Sequence, residues 1–216
     1  MEFAMHAYAT DVDRKGVPII LALVAIGATL LFLYVIQTLK ITVPWWIDAP
    51  SVMGFYGIFY ALYDRVLWRL HMGSLSFSHI PDVNGVWAGV LASSYNNGTR
   101  IDIVFYIEQT WTKISIRTET ETSTSSTTMA ALYTDEYLEP GLKYEYLSEP
   151  GPFAAPTMQI HKGAGHLHLS ADGQTLTGDY YTGKGRQTYG TIELRLVSKK
   201  KVSREEALKL LKANLP

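Results

Sequence analysis

Residues 84–108 read NGVWAGVLASSYNNGTRIDIVFYIE, two apolar stretches on either side of a turn. In the second stretch Ile101, Ile103, Phe105 and Ile107 alternate with Asp102, Val104, Tyr106 and Glu108. A period of two places the first set on one face of a pleated strand, so the stretch reads as a half-buried strand. The first stretch, Asn84 to Tyr95, ends at Asn96-Asn97-Gly98, a hairpin signal because Asn and Gly tolerate positive φ.

Toward the C-terminus the same grammar repeats. Trp111 to Glu121 sets Ile114 and Ile116 against Lys113, Ser115 and Arg117, and Ser123 to Tyr133 is Thr-rich with little register information. Leu142 to Leu147, Met158 to Lys162 running on into His166 to Leu169, Thr175 to Thr182 and Tyr189 to Val197 follow, with Asp172-Gly173 as another tight turn. About eight antiparallel strands over residues 84–198 predict a sandwich or an up-and-down β-barrel. Beyond them, over 199–216, Ser203 with Glu206 forms a capping box, and Ala207, Leu208, Leu211 and Leu215 share one helical face. That short helix can dock on the barrel, on a membrane surface or on a neighbouring subunit.

Toward the N-terminus the composition changes. Val17 to Leu39 carries no formal charge, and at ~1.5 Å per residue it reaches the ~30 Å of a hydrocarbon core. It is too long for a signal-peptide core, and a second apolar run follows it instead of a cleavage site. That run, Ala49 to Leu62, is shorter, and spanning requires extension toward Trp68. Pro44, Trp45 and Trp46 before it, with Tyr63 and Trp68 after it, make an interfacial aromatic belt. Gly54 and Gly57 are small enough to permit close helix approach. The expected organisation is a leader without structure over 1–16, a two-helix transmembrane hairpin over 17–71 and a linker over 72–83. Arg14, Lys15, Arg65 and Arg69 flank the helices, whereas the connection offers only Lys40, so both termini and the barrel are expected in the cytosol.

Bulk figures conceal this division. The 216 residues carry a net charge of −1 and contain no cysteine. Without cysteine there are no disulfide staples, thiolate nucleophiles or thiolate-bound metals. Without a clustered basic excess, a nucleic-acid polymer is not an expected partner.

Catalytic constellations are scarce. His161, His166 and His168 are the best metal candidates, yet His166 and His168 alternate with Leu167 and Leu169 as on any strand with one polar face, so no metal site is expected. Gly163-Ala164-Gly165 and Gly183-Lys184-Gly185 lack the strand–loop–helix setting of a phosphate-cradling loop and read as hairpin turns. Neither a catalytic residue nor an enzyme activity is expected. Binding chemistry is richer: Tyr106, Tyr144 and Tyr180 supply stacking faces, while Arg117, Arg186 and Lys162 supply cations for phosphate. These six are the candidate ligand-binding residues.

Gly85-Val86-Trp87 on the first strand and Arg195 near the end of the last resemble the calycin (lipocalin-like) arrangement, in which an Arg covers a Gly-x-Trp indole and plugs the closed end of the barrel. The resemblance favours the barrel over the sandwich and implies structural roles for Gly85, Trp87 and Arg195. The order of parts, two membrane helices, a linker with Ile80-Pro81-Asp82 and a Gly-x-Trp barrel carrying Gly178-Asp179-Tyr180-Tyr181, resembles the two-transmembrane β-strand-rich effectors of bacterial CBASS anti-phage systems, built around CD-NTase enzymes. The resemblance implies a receptor in the inner membrane, without a cofactor. It binds a cyclic dinucleotide or related cyclic oligonucleotide, self-associates in the lipid bilayer and disrupts it, killing the infected cell. The competing expectations are a membrane-tethered carrier of a lipid, haem or other apolar molecule, and a scaffold whose barrel binds only protein.

Overall fold

The computed structural model describes residues 5–40, 52–72, 75–95, 98–136, 139–152, 154, 159–184 and 186–213. Pro44, Trp45, Trp46, Asn96, Asn97, Met158, Gly185 and Leu215, which entered the sequence reading, lie outside the described residues. In chain order come β1 (His6–Ala7), β2 (Ala9–Thr10), α1 (Gly16–Thr38), α2 (Val52–Arg65), a 3-10 turn (Leu67–Arg69), β3 (His71–Met72) and β4 (Leu75–Ser76). After them follow β5 (Gly85–Ser93), β6 (Thr99–Gln109), β7 (Lys113–Glu119), β8 (Ser123–Glu136), β9 (Glu139–Pro150), β10 (His161–Leu169), β11 (Thr175–Thr182), β12 (Tyr189–Ser198) and α3 (Arg204–Ala213). Two compact units result, Val12–Ser78 and the remainder.

In the first unit α1 is apolar nearly all round. Leu21, Ala25 and Thr29, spaced four residues apart, are its buried residues. Thr29 returns its hydroxyl to Ala25 O at 2.8 Å, so a polar group on an apolar helix is satisfied locally. Against α1 packs α2, with Phe55 meeting Phe32 edge-on at 6.0 Å between centroids. Gly57 plays no part in that approach, since nothing lies within 4 Å of where a β-carbon would sit. Among the described residues α1 is the one helix long and apolar enough to cross a membrane. The 14 residues of α2 extend only ~21 Å at ~1.5 Å per residue.

The second unit is the expected closed barrel. Strands β5 to β12 run as an antiparallel meander, and β12 pairs back onto β5 to close an eight-stranded sheet. Alternation decides which side chains are inside. Trp87, Phe105 and Ile116 point inward with Leu142, Leu167 and Leu194, all essentially inaccessible. Fully burying such a side chain contributes ~1.5–3 kcal/mol, which makes this interior the main source of stability. One end is closed by the chain entering β5. Val83 N–H donates to Gln109 Oε1 at 2.9 Å, Gln109 Nε2 donates to Pro81 O at 3.0 Å, and Ile80 and Val83 are buried.

Residues 6–11 depart from expectation. Instead of a leader without structure, β1 pairs with β7 and β2 pairs in parallel with β8, forming a strap in the seam between those two strands. The seam exists because β7 and β8 pair directly only through Arg117–Glu119 and Thr124–Ser126. Where that ladder ends, the strap pairs instead with Lys113 and Ile114 of β7 and with Ala131 and Leu132 of β8.

Of the surfaces open to the C-terminal helix, the barrel is the one it takes. Ser203 Oγ accepts the Glu206 N–H at 3.2 Å, capping the first turn. Ala207 then seats on Val86, Ala88 and Val104, with Leu208 and Leu211 alongside.

The Gly-x-Trp motif is explained in part. Gly85 has φ +137°, and a β-carbon there would lie 2.9 Å from Ser198 O, so only glycine fits. Trp87 is wholly buried and donates its indole N–H to Val83 O at 2.8 Å. Arg195 requires a correction, because it does not cover that indole. Leu196 stands opposite Trp87, and Arg195 stands opposite Ala88. Since adjacent residues leave opposite faces of a strand, Arg195 is exposed outside while Trp87 is inside. It lines a groove of about 320 Å³ with Asp172, Gln174, Thr175 and Leu211.

Candidate functional site

The end of the barrel opposite Val83 is formed by the β5–β6, β7–β8, β9–β10 and β11–β12 connections. Below it the interior turns from aliphatic to phenolic. Inward positions of β9 and β11 carry Tyr144, Tyr146 and Tyr180, with Tyr144 and Tyr180 only 4% and 5% exposed. Glycine makes room for them. Gly163 and Gly165 stand opposite Tyr146 and Tyr144 in the β9–β10 ladder, and a β-carbon on either glycine would overlap the facing ring. The two rings lie 6.0 Å apart at 38°, and Phe105 meets Tyr144 edge-on at 5.9 Å. Tyr180 donates its hydroxyl to Ser93 Oγ at 2.6 Å, and below the mouth Thr182 Oγ1 accepts the Thr188 N–H at 2.8 Å. The result is a column of stackable rings with a few fixed hydroxyls.

Charge sits at the rim. Arg186, in the β11–β12 turn, holds its guanidinium 5.6 Å from the centre of the Tyr95 ring. Its field reaches two neighbours. Burial pushes the Tyr146 phenol up to about 12, Tyr180 adds to the rise, and Arg186 opposes it. Burial holds the His161 imidazole below its ordinary value, the hydrogen bond to Gln159 O at 3.0 Å opposes that, and Arg186 lowers it further. Tyr144 is also raised, by burial first and Tyr146 second. Tyr144 and Tyr146 therefore stay neutral at physiological pH, so they offer ring faces and O–H groups to a ligand and add no negative charge. An anion with flat rings suits this end: the rings stack, and the guanidinium binds the charge.

The six sequence candidates divide between two faces. Tyr144, Tyr180 and Arg186 come together at the mouth. Lys162 lies on the neighbouring strand but is exposed, next to the inward-facing Gly163. Tyr106 and Arg117 are register partners on the outer wall, away from the tyrosine column. There Arg117 forms an ion pair with Glu119 at 2.5 Å, and Tyr106 donates to the same carboxylate at 3.3 Å. Burial first, then Glu119, raises the Tyr106 phenol to about 12. Ser93 and His161 complete the mouth set without having been ligand candidates. The parity that puts Trp87 inside also puts Ser93 inside, so that much was available in the sequence.

Among the described residues no group of three or more His, Asp or Glu is placed to hold a metal ion. His166 hydrogen-bonds to the Tyr133 hydroxyl, and its ring lies 4.7 Å from that of His168.

Comparison with known proteins bears on both units. Residues 15–69 match the family model described as "Cap15, TM helices". Residues 78–196 match the one described as "Cap15, cyclic dinucleotide receptor domain". A relative from Yersinia aleksiciae, named CD-NTase-associated protein 15, is 29% identical over 145 residues, covering 67% of this chain and 68% of its own length.

Proposed function

The chain belongs to the Cap15 family of CD-NTase-associated effectors, and from that premise we propose that the tyrosine-lined mouth of its barrel binds the cyclic dinucleotide. The observation that carries this reading is the conjunction of Tyr144, Tyr146 and Tyr180 inside the barrel with Arg186 at its rim. Nucleobases stack on the phenol faces, and the guanidinium takes a phosphate. A bound base has to turn aside at least one ring that now fills the mouth. The glycines facing those rings carry no side chain that would obstruct the movement.

The membrane unit supplies the effector step. In this reading α1 and α2 both insert, with the short α2 straining the bilayer around it, and both termini and the barrel are cytosolic. Ligand binding favours an assembled state to the extent that it binds that state more tightly. Assembly then gathers mismatched helices into one patch of inner membrane, which loses its barrier, and the infected cell dies. No covalent chemistry is asked of the barrel.

Calorimetry of the full chain in detergent against a panel of cyclic dinucleotides and trinucleotides tests the receptor reading. At least one is expected to bind below tens of micromolar. Binding of none, with uptake of a fatty acid or haem instead, would hand the case to the carrier.

The pH dependence has a definite sign. Burial disfavours charged His161, so ligand-free stability is full above the ordinary histidine value of ~6.5 and falls as pH drops below it. A bound phosphate reverses the preference, because it favours the imidazolium. Dinucleotide affinity should therefore rise as pH falls from about 8 to about 6, by up to tenfold per unit, the limit for one proton taken up. His161→Gln should flatten that profile. A profile equally steep in the variant would remove His161 from the site.

A further inference from the structure

We propose that the N-terminal strap, residues 6–11, transmits ligand occupancy in the barrel to α1 by leaving the β7–β8 seam when the mouth is filled. The proposal rests on the receptor reading above.

The strap is firmly placed but separable. Tyr8 is buried and donates its hydroxyl to Trp111 O at 2.8 Å, and the Asp11 carboxylate accepts both the N–H and the hydroxyl of Thr134, each at 2.9 Å. His6 Nε2 lies 3.1 Å from Thr127 Oγ1. These bonds join a short segment to strands more than a hundred residues away in sequence. None belongs to the ladders that close the barrel, so the strap can detach as a small cooperative unit while the barrel persists.

A path from the mouth to the strap is also present. Thr127, which holds His6, is the register partner of Tyr146, a ring of the proposed site. The same Thr127 hydroxyl accepts the Ile116 N–H at 3.2 Å, tying β8 to β7 where their direct ladder has ended. The β8–β9 ladder breaks register beside it, between Thr127 and Met129, and again between Tyr133 and Glu136. The strap-bearing part of β8 thus lies between two irregularities, where a wall yields most readily. When a base turns Tyr146 aside, Thr127 is the residue of β8 directly across from the movement. Thr127 holds one end of the strap.

The other end of the strap is tied to the helix. Four residues separate Asp11 from Gly16, the first residue of α1, which makes five steps of the chain. At ~3.3–3.6 Å per residue that tether reaches at most ~18 Å, so releasing the strap lengthens the chain by which α1 is leashed. The family match to the receptor domain begins at residue 78 and the match to the helices at residue 15, so the strap lies outside both.

Hydrogen exchange on the full chain in detergent, with and without a panel of purine and pyrimidine cyclic dinucleotides, tests the coupling. Amides of residues 6–11 should exchange at least tenfold faster with a saturating dinucleotide, while the turn at 183–189 slows. A slowed turn with an unchanged strap overturns the coupling and leaves the receptor reading standing. No change anywhere with any dinucleotide overturns the receptor reading and the coupling with it. A lock provides a second measurement. Ala9 and Ala131 are register partners and the chain has no cysteine, so Ala9→Cys with Ala131→Cys gives a single disulfide across the seam. The oxidised variant should bind dinucleotide more weakly than the reduced one, because a ligand that releases the strap binds the released state more tightly. It should also release dye from liposomes at least tenfold more slowly, with both recovered on reduction. Equal leakage from locked and reduced protein overturns the proposal.

Discussion

Trp87→Ala should cost the barrel about 3–5 kcal/mol, the usual range for emptying a large aromatic site. The indole is completely buried between Phe105 and Leu196, its register partners on the flanking strands, so the void has little means of collapse. The loss has a second component: the Val83 carbonyl would lose the indole N–H that now satisfies it at 2.8 Å. An unpaired buried acceptor adds ~1–3 kcal/mol. Since whole domains are stable by only ~5–15 kcal/mol, the variant is expected to be largely unfolded or to melt far below the parent. Thermal melting of the full chain in detergent, followed by near-ultraviolet circular dichroism, reads the change. An unaltered melt together with lost dinucleotide binding would move Trp87 from the closed end to the ligand site.

What the sequence made legible depends on how local each signal was. The barrel strands were readable where a period of two persists, as in Ile101 to Ile107, and least so in the Thr-rich Ser123 to Tyr133. The same parity already placed Tyr106 and Arg117 outside, since Ile107 and Ile116 are register partners on the inner face. Choosing those two as ligand residues weighed their chemistry without their parity. Arg195 failed for a related reason. A motif learned from other barrels fixes the strand, but a register one residue away puts Leu196, not Arg195, across from Trp87. The strap gave no signal at all. His6 to Thr10 is too short to display a period, and its partners, Lys113, Ile114, Ala131 and Leu132, lie over a hundred residues downstream. The C-terminal helix was legible to its cap, because Ser203 and Glu206 sit three residues apart. Its docking face required Ala88 and Val104, which nothing in residues 199–216 reveals.

Arg186→Ala should weaken dinucleotide binding by about ten- to a hundredfold, the equivalent of ~1.5–3 kcal/mol for a hydrogen bond to a charged group. Arg186 is the cation whose field falls on both Tyr146 and His161, so its charge is felt where a phosphate of a ring-bound ligand would lie. Its place in a turn makes the change benign for the fold. The backbone bond from Arg186 N–H to Gly183 O, at 3.3 Å, does not depend on the side chain, and the guanidinium lies over the Tyr95 ring. The variant should therefore melt within a few degrees of the parent while its affinity falls. Arg186→Lys should recover part of the loss, because an ammonium keeps the charge but not the planar fork that grips two phosphate oxygens. Arg117→Ala provides the contrast. Its guanidinium is already paired with Glu119 on the outer wall, so dinucleotide affinity should change by less than about threefold. Calorimetry on the three variants, alongside their melts, separates the possibilities. If Arg186→Ala binds within twofold of the parent and Arg117→Ala loses binding, the ligand sits on the outer wall against Tyr106 and not in the mouth.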